Sequence, residues 1–289
     1  MHHTHSRALS FVILCLLVGP GARADDEMGI GALTGKGRMD GSAPQFSPDG
    51  KSIVFLRKTN SLWIKDMETQ KERLLVTQGE LVDSASWSPD GKSVAFVSTK
   101  SAGKARMRSI WVIGADGKNP RQLGTPGSPE EGKPEWDFES AYVSWMRGEK
   151  IWESAADGSG AKEAADQENL MGGTWHPSGK AAFMQDGMIT VVGGDGPTIS
   201  LNQSGMLGKW SPDGTWLYFR SDDGALMRVN PAKPKAVETV LKKACFEDWC
   251  TWDISFPLAL FVFSDSHNGP IETKEIPKKF LAPTTKGGK

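Results

Sequence analysis

The chain repeats one pattern of hydrophobic and polar positions. An aromatic residue precedes a polar turn sequence, Ser-Pro-Asp-Gly or a close variant, and an apolar run follows it. The clear copies are FSPDGKSIVFLR from Phe46, WSPDGKSVAFVS from Trp87, WHPSGKAAFMQ from Trp175 and WSPDGTWLYFRS from Trp210. Short apolar runs bounded by turn residues predict β-strands. Each copy therefore predicts two strands joined by a tight turn.

Two weaker copies lie in the gaps between the clear ones. WDFESAYVSW from Trp136 and WDISFPLALFVFS from Trp252 keep the aromatic residue and the apolar run but lack Pro-Asp-Gly. The six aromatic positions are then separated by between 35 residues (175 to 210) and 49 residues (87 to 136). Spacing in this range is typical of repeat architectures.

A second pair of predicted strands follows the first pair in each of the first five units. In three units an Asp-Gly dipeptide marks the turn between them, and it accepts the positive φ of a tight hairpin. These dipeptides are Asp116-Gly117, Asp157-Gly158 and Asp195-Gly196. Units of four strands that recur about every 40 residues predict an all-β fold, a six-bladed β-propeller of four-stranded antiparallel blades.

The repeat resembles the Pro-Asp-Gly repeat of TolB-like propellers, which are related to the propeller domains of tricorn protease and dipeptidyl peptidase IV. The resemblance covers residues 44–275 and is closest in IWVIGADGKNPRQL. No unit ends in the Gly-His and Trp-Asp pairs of WD repeats. The chain is expected to differ from TolB itself, which carries a separate N-terminal domain, because only residues 25–43 lie between the predicted signal peptide and the first unit.

The sixth unit lacks a convincing fourth strand. A strand from IGALTG or GRMDG, within residues 25–43, is expected to take that place and join the two ends of the ring. The tryptophans before the turns, and those in the third strands, are expected to pack between neighbouring blades. The basic tail, residues 276–289, is expected to be flexible.

Residues 1–24 have the features of a secretory signal peptide. Arg7 precedes the apolar run ALSFVILCLLVG, and a small-x-small site ends at Ala24. The sequence therefore predicts a secreted or periplasmic protein, cleaved after Ala24, with an uncleaved anchor as the alternative. Cys15 follows Leu14, where a lipoprotein signal would have a small residue, so no lipid anchor is predicted.

Charge and cysteine content narrow the classes of partner. Without residues 1–24, which include Arg7 and Arg23, 34 − 2 = 32 basic residues face 35 acidic ones, and this balance argues against a nucleic-acid partner. No later segment is apolar enough to span a membrane. A monomer is expected.

Cys245 and Cys250 are predicted to form a disulfide, with two reduced core thiols as the alternative.

Candidate binding residues lie in the connections that vary most between units. Turns after the first and third strands share one face, here called the turn face, and the longer connections form the opposite, variable face. The loop STKSAGKARMRS contributes Lys104, Arg106 and Arg108, and the link KKACFEDWC contributes Phe246, Glu247, Asp248 and Trp249. Arginine and exposed aromatic residues are frequent in binding hot spots. The alternatives are a solvated insertion for the basic loop and a core-capping role for Trp249.

No catalytic residue, metal site or cofactor is predicted. His176 replaces the serine of a turn, and His267 stands beside Ser264, Asp265 and Ser266 in one loop, where adjacent residues rarely reach triad geometry. Neither a G-x-S-x-G elbow nor an H-E-x-x-H motif is present. The first strands, which line the central channel, carry mostly small or aromatic residues. No polar cluster is therefore expected in the channel.

The resemblance implies a non-catalytic platform, because TolB itself docks a peptidoglycan-associated lipoprotein. The predicted partner is thus another protein or a component of the cell envelope. One alternative is a lyase or hydrolase that acts on carbohydrate or peptide in the channel, since related propellers accompany peptidase domains. A small-ligand sensor is a further alternative.

Overall fold

The structure is a computed structural model that describes most of the chain from residue 38 to residue 281. The described residues are 38–58, 61–76, 81–137, 139–148, 150–164, 171–176, 178–193, 198–244, 250–265 and 270–281. The predicted signal peptide and its cleavage site lie outside these ranges and stay predictions. Among the described residues, no helix has the length and apolar character needed to cross a membrane.

Six four-stranded antiparallel sheets make up the molecule, which confirms the predicted six-bladed β-propeller. In blades one to five, the four strands follow one another along the chain. Blade six consists of the last three strands and the first one. The only helix among the described residues is a 3₁₀ turn at Lys278–Phe280.

The strands have the following bounds. Blade one contains β2 (Ser42–Phe46), β3 (Ser52–Arg57), β4 (Ser61–Asp66) and β5 (Glu72–Val76). Blade two contains β6 (Leu81–Trp87), β7 (Ser93–Ala102), β8 (Ala105–Gly114) and β9 (Arg121–Ser128). Blade three contains β10 (Glu135–Trp136), β11 (Tyr142–Arg147), β12 (Lys150–Ala155) and β13 (Lys162–Glu163).

The second half of the ring is built in the same way. Blade four contains β14 (Met171–Trp175), β15 (Ala181–Gln185), β16 (Met188–Val192) and β17 (Ile199–Ser200). Blade five contains β18 (Met206–Trp210), β19 (Leu217–Arg220), β20 (Leu226–Val229) and β21 (Val237–Leu241). Blade six contains β22 (Thr251–Ser255), β23 (Leu260–Ser264), β24 (Pro270–Glu275) and β1 (Arg38–Asp40).

The second strands are apolar on both faces because each blade lies between two others. In β3, Ile53 and Phe55 belong to the apolar cluster shared with blade six, whereas Val54 and Leu56 belong to the cluster shared with blade two. Successive side chains of a strand point to opposite faces. The run SIVFL therefore has apolar residues at consecutive positions instead of every second one.

The core is divided into clusters between neighbouring blades. Such clusters are described between blades one and two, two and three, four and five, five and six, and six and one. The third-strand tryptophans occupy one equivalent position, each opposite an aromatic residue of the second strand. The pairs are Phe55 with Trp63, Phe96 with Trp111, and Trp145 with Trp152.

The Ser-Pro-Asp-Gly turn is held by a hydrogen-bond network that recurs. The Ser88 hydroxyl donates to Oδ1 of Asp90 at 2.6 Å, and that oxygen also accepts from the Lys92 N–H at 3.0 Å. The Ser93 N–H donates back to Ser88 Oγ at 2.9 Å. The same three bonds form around Ser47 and Asp49 and around Ser211 and Asp213.

These turns also make the fold sensitive to acid. Burial by itself would raise the pKa of Asp49, Asp90 and Asp213, but the hydrogen bonds from serine hydroxyls and backbone N–H groups outweigh it. The pKa of each aspartate therefore lies below its ordinary value. A lowered folded-state pKa means that the stabilisation is complete above the ordinary aspartate pKa of about 3.9 and is lost as the pH falls through the lowered value.

The ring is closed by an N-terminal strand. β1, from the GRMDG stretch, pairs antiparallel with β24, and the register sets Met39 opposite Ile271. Met39 is buried in the cluster between blades six and one. The first and last parts of the chain are thus joined in a single sheet.

The segment from Ile276 to Leu281 packs against the propeller, although the sequence predicts a flexible tail from residue 276. Ile276 is buried and donates its N–H to the Ala259 carbonyl in the β22–β23 turn. The Phe280 carbonyl accepts a hydrogen bond from Arg228 at 2.7 Å and another from the Tyr218 hydroxyl. These contacts place the segment on the turn face of blades five and six. Residues 282–289 lie outside the described ranges.

Removal of β1 tests the closure of the ring. We expect a chain that begins at Ser42 to unfold with a free energy about 3 kcal/mol lower than that of the chain that begins at residue 25, because it loses the β24 pairing and the buried Met39. Thermal and urea unfolding would measure the difference. A chain that begins at Arg38 keeps all of β1 and is the matched control. Equal stability of all three chains would contradict closure by β1.

Candidate functional site

The β7–β8 hairpin is longer than its counterparts in the other blades. Each of its strands has ten residues, whereas the second and third strands elsewhere have between four and six. β6 and β9 pair with it only as far as Thr99 and Arg108. Residues 100–107, here called the arm, continue beyond them on the variable face. The sequence predicts a loop here, but the chain forms a regular ladder around a tight turn at Gly103, where φ is 65°.

The arm is exposed and carries only positive charge. Lys100, Lys104 and Arg106 are exposed, and the segment contains no acidic residue. No ion pair with an acid of the described part of the chain engages these three side chains. Two of the predicted binding residues, Lys104 and Arg106, therefore lie together in a basic projection.

Arg108, the third predicted residue of this group, stands at the base of the arm. Its Nη2 donates to both carboxylate oxygens of Asp83, at 2.9 and 3.2 Å. Asp83 belongs to β6, the inner strand of the same blade. Arg108 thus ties the base of the arm to the channel wall instead of presenting a free guanidinium.

The other predicted residues are only partly described. Phe246, Glu247, Asp248, Trp249 and Cys245 lie outside the described residues, so their role in binding stays a prediction. Cys250 is buried and disulfide-bonded. Because Cys245 is not described, the pairing of these two cysteines also stays a prediction.

His176 is the one histidine among the described residues, and its ring is held by contacts within the fold. His176 Nδ1 lies 2.8 Å from the Ser178 hydroxyl, and its Nε2 lies 3.2 Å from the Pro212 carbonyl of the neighbouring blade. It occupies a turn, as the sequence predicts. His267 lies outside the described residues.

Charged side chains gather at the channel, contrary to the prediction that the inner strands are mostly small or aromatic there. The strand pairing assigns one equivalent position to a polar residue in every inner strand. These residues are Gln45, Ser86, Glu135, Thr174, Lys209 and Asp253. In blade six, the residue that follows this position is Ile254, which pairs with Phe261, so Ile254 and not Trp252 takes the place of the pre-turn aromatic.

Asp253 connects three blades. Its side chain is 5% exposed, accepts the Phe46 N–H at 2.7 Å and forms an ion pair with Lys209 at 2.7 Å. At three other junctions a pre-turn tryptophan bridges to the inner strand of the preceding blade through its indole N–H. These bonds run from Trp87 to the Gln45 carbonyl, from Trp136 to the Ser86 carbonyl and from Trp210 to the Thr174 carbonyl. Ile254 and Phe46 have no such donor, and the Asp253 carboxylate makes the cross-blade bonds at these two junctions instead.

Lys133 and Glu135 form another ion pair at the channel wall. Their charged atoms are 2.7 Å apart, and the side chains are 44% and 30% exposed. Partial loss of hydration would lower the pKa of Lys133. The carboxylates of Glu135 and, less strongly, Asp253 outweigh that loss, so the pKa lies above its ordinary value. Lys133 is therefore a cation at neutral pH and is unsuited to act as a general base.

The sequence contains a signal for this cluster that motif searching overlooked. In three units the residue at the equivalent inner-strand position is charged: Glu135, Lys209 and Asp253. Glu135 and Lys209 directly precede the aligned tryptophans, but Asp253 joins them only when the units are aligned by their strand pairing. In blade six, an alignment that places Trp252 at the pre-turn aromatic position is wrong by two residues, because Ile254 occupies that position.

Comparison with known proteins agrees with the fold. No family model matches the chain. An alignment 201 residues long, which covers 62% of this chain, gives 26% identity to the uncharacterized peptidase YuxL of Bacillus subtilis, and the chain spans 29% of that protein's length. Because the alignment covers less than a third of this relative, the peptidase activity in its name cannot be assigned to this chain.

Solved structures of several functions share this architecture. An oligogalacturonate lyase from Vibrio parahaemolyticus aligns with a TM-score of 0.57 and 15% identity, over 86% of this chain and 80% of that one. TolB from Acinetobacter baumannii aligns with a TM-score of 0.54 and 16% identity, over 83% and 64%. The tricorn protease aligns with a TM-score of 0.55 and 13% identity, over 72% and 26%. The fold is a TolB-like propeller, and identities this low establish the fold alone.

Substitution of Asp253 tests its part in holding the ring. We expect Asp253→Ala to lower the free energy of unfolding by about 3 kcal/mol, because it leaves the Phe46 N–H without its acceptor and the Lys209 ammonium with only the Ile254 carbonyl, 3.4 Å away. Asp253→Asn keeps an acceptor for Phe46 and should cost about 1 kcal/mol. Urea unfolding measures both values. Asp222→Ala, an exposed variable-face aspartate, is the control, and an Asp253→Ala protein as stable as this control would contradict the argument.

Proposed function

We propose that the protein is a non-catalytic platform that binds another protein or a component of the cell envelope through its variable face. The observation that carries this proposal is the arm. It projects from the face opposite the regular turns, and it includes Lys104 and Arg106, two of the residues that the sequence indicates for binding.

The arm contributes little to the fold that bears it. The strand residues Lys100, Ser101, Ala102, Ala105 and Arg106 are all exposed and belong to none of the apolar clusters. A two-stranded ribbon without an apolar face is marginally stable by itself. A role in recognition explains an extension that packing does not require.

The charge of the arm indicates the kind of partner. The chain as a whole is slightly acidic, so a segment with three exposed cations and no acid is a local departure from the average. Complementary charge accelerates encounter and selects acidic surfaces. The predicted signal peptide supports a partner in the periplasm or outside the cell, and the likeness of the fold to TolB supports an envelope component.

Affinity capture tests the platform. The chain 25–289 would be immobilised and exposed to envelope extract of its host, next to a Lys104→Glu, Arg106→Glu double variant. We expect the native chain to retain a partner that mass spectrometry identifies and the variant to retain at least about tenfold less of it. Lys118→Glu changes an exposed lysine at the turn-face end of β8 and is the matched control. Equal capture by native chain and double variant would place binding elsewhere.

An enzyme acting in the channel is the second candidate, and the cluster of Lys133, Glu135, Lys209 and Asp253 favours it. The shared fold of oligogalacturonate lyase also supports this alternative. The ion pairs and the raised pKa of Lys133 fit binding better than proton transfer, which is why we rank it second.

Turnover assays separate the two candidates. On our proposal, acidic oligosaccharides and unstructured peptides incubated with the chain remain uncleaved, as judged by mass spectrometry of the products. Cleavage that disappears in Glu135→Gln, while Lys118→Glu keeps it, would establish the enzyme and overturn the platform as the main function.

A further inference from the structure

We propose that the arm binds an acidic peptide segment in extended conformation, which adds to the outer edge of β8 as an extra strand. This inference rests on the proposed platform function and specifies its partner. Three features of the arm support it: an open strand edge, the side chains beside that edge, and a charge that excludes a second copy of the same edge.

The outer edge of β8 is unpaired along the arm. β9 pairs with β8 as far as Ser128, which lies opposite Arg108. The chain then turns at residues 129–130, and Glu131 bridges to Arg147 in blade three. Among the described residues, no strand continues alongside Ala105, Arg106 and Met107. Unpaired backbone groups at a sheet edge are a template for one more strand.

A strand added at this edge would extend the line of β9 into solvent. Antiparallel pairing would let its backbone exchange hydrogen bonds with the residues from Ala105 to Met107, while its side chains alternate between the two faces of the arm. Arg106 lies on one face, opposite Ser101, and Met107 lies on the other, opposite Lys100. Both faces of the arm thus offer a cation to the incoming strand.

The spacing of the cations favours alternating acidic residues. Arg106 and Arg108 are two residues apart on the same face, about 7 Å along the strand. Arg108 is bonded to Asp83, so Arg106 and the tip residue Lys104 are the groups that a ligand carboxylate reaches first. A carboxylate at every second position of the added strand keeps acidic groups on the Arg106 face.

The same charge disfavours pairing between two arms. Two β8 edges brought together would face each other with Lys104 and Arg106 from each copy, and like charges across a strand pair are destabilising. Lysine on an exposed edge commonly blocks such self-association. The arm therefore rejects its own copy and accepts a strand of opposite charge.

A direct binding measurement tests strand addition. The probe is a fluorescein-labelled synthetic peptide in which glutamate alternates with valine, titrated with the chain 25–289 and followed by fluorescence anisotropy. We expect saturable binding that weakens at least about tenfold in the Lys104→Glu, Arg106→Glu variant and changes less than about twofold in Lys118→Glu. Binding should also weaken between about 0.05 and 1 M salt, where the Debye length falls to about 3 Å.

A second peptide separates strand addition from simple charge attraction. It has the same sequence with N-methylated backbone amides, so it keeps every carboxylate but donates no backbone hydrogen bond. We expect its binding to be lost. Equal binding of the two peptides, or no binding of either, would overturn strand addition. Circular dichroism and thermal unfolding of the variants establish that they fold like the native chain.

The two proposals fail in different ways. If the native chain captures an arm-dependent partner but ignores the peptide, the platform stands and strand addition is wrong. If the double variant captures as much as the native chain, the platform proposal for this face is itself wrong. If a neutral Lys104→Ser, Arg106→Ser variant dimerises while the native chain binds no peptide, the cations serve only to prevent self-association.

Discussion

A propeller blade has two apolar faces, and both must be covered. Along a row of such blades, the first and the last would each leave one face in water, and only closure into a ring removes both exposed faces. In this protein the cluster between blades six and one depends on that closure, because it combines residues from both ends of the chain, Met39 and Ile271 among them. Because this last cluster forms, every blade has a neighbour on each side and both of its apolar faces are covered.

The bonds that link blade six to its neighbours differ from those that link the other blades. At three of the six blade junctions, a tryptophan indole N–H donates to a carbonyl of the preceding inner strand, and the bond recurs because the repeat recurs. At the two junctions of blade six the repeat has Ile254 and Phe46, which cannot make this bond. Asp253 replaces it with its carboxylate, on one side through Lys209 and on the other through the Phe46 N–H. The charged residue in the channel wall therefore has a structural role at both junctions of blade six.

Local features of this fold could be predicted from the sequence, and features set by distant contacts could not. Pro-Asp-Gly turns and Asp-Gly hairpins act through neighbouring residues, and together with the recurring aromatic residue and apolar run of the two weaker units they were enough to predict six blades. The role of Asp253 depends on Phe46, 207 residues away, and no local pattern encodes that contact. β1 could be predicted in part. The missing fourth strand of the sixth unit indicated a strand from residues 25–43, but its three residues are too short for any periodicity, and the pairing with β24 identifies GRMDG as its source.

The arm shows a subtler limit. Its residues are polar and small, with a glycine at the tip, and such a composition predicts a loop. The ladder continues because β7 and β8 enter the segment already paired, and each added pair extends an existing sheet at low entropic cost. Lys104 and Arg106 are exposed, and their role in binding stays a prediction, but the regular strand edge beside them could not be predicted from this composition.

The position of the segment from Ile276 to Leu281 determines which face of the propeller would turn toward a support attached there. It packs against the turn face at blades five and six, fixed by Tyr218 and Arg228 through the Phe280 carbonyl. The chain therefore passes Leu281 on the side away from the arm. A support coupled to the chain just after that residue would meet the regular turns, and the basic projection would point outward, toward whatever approaches from solution.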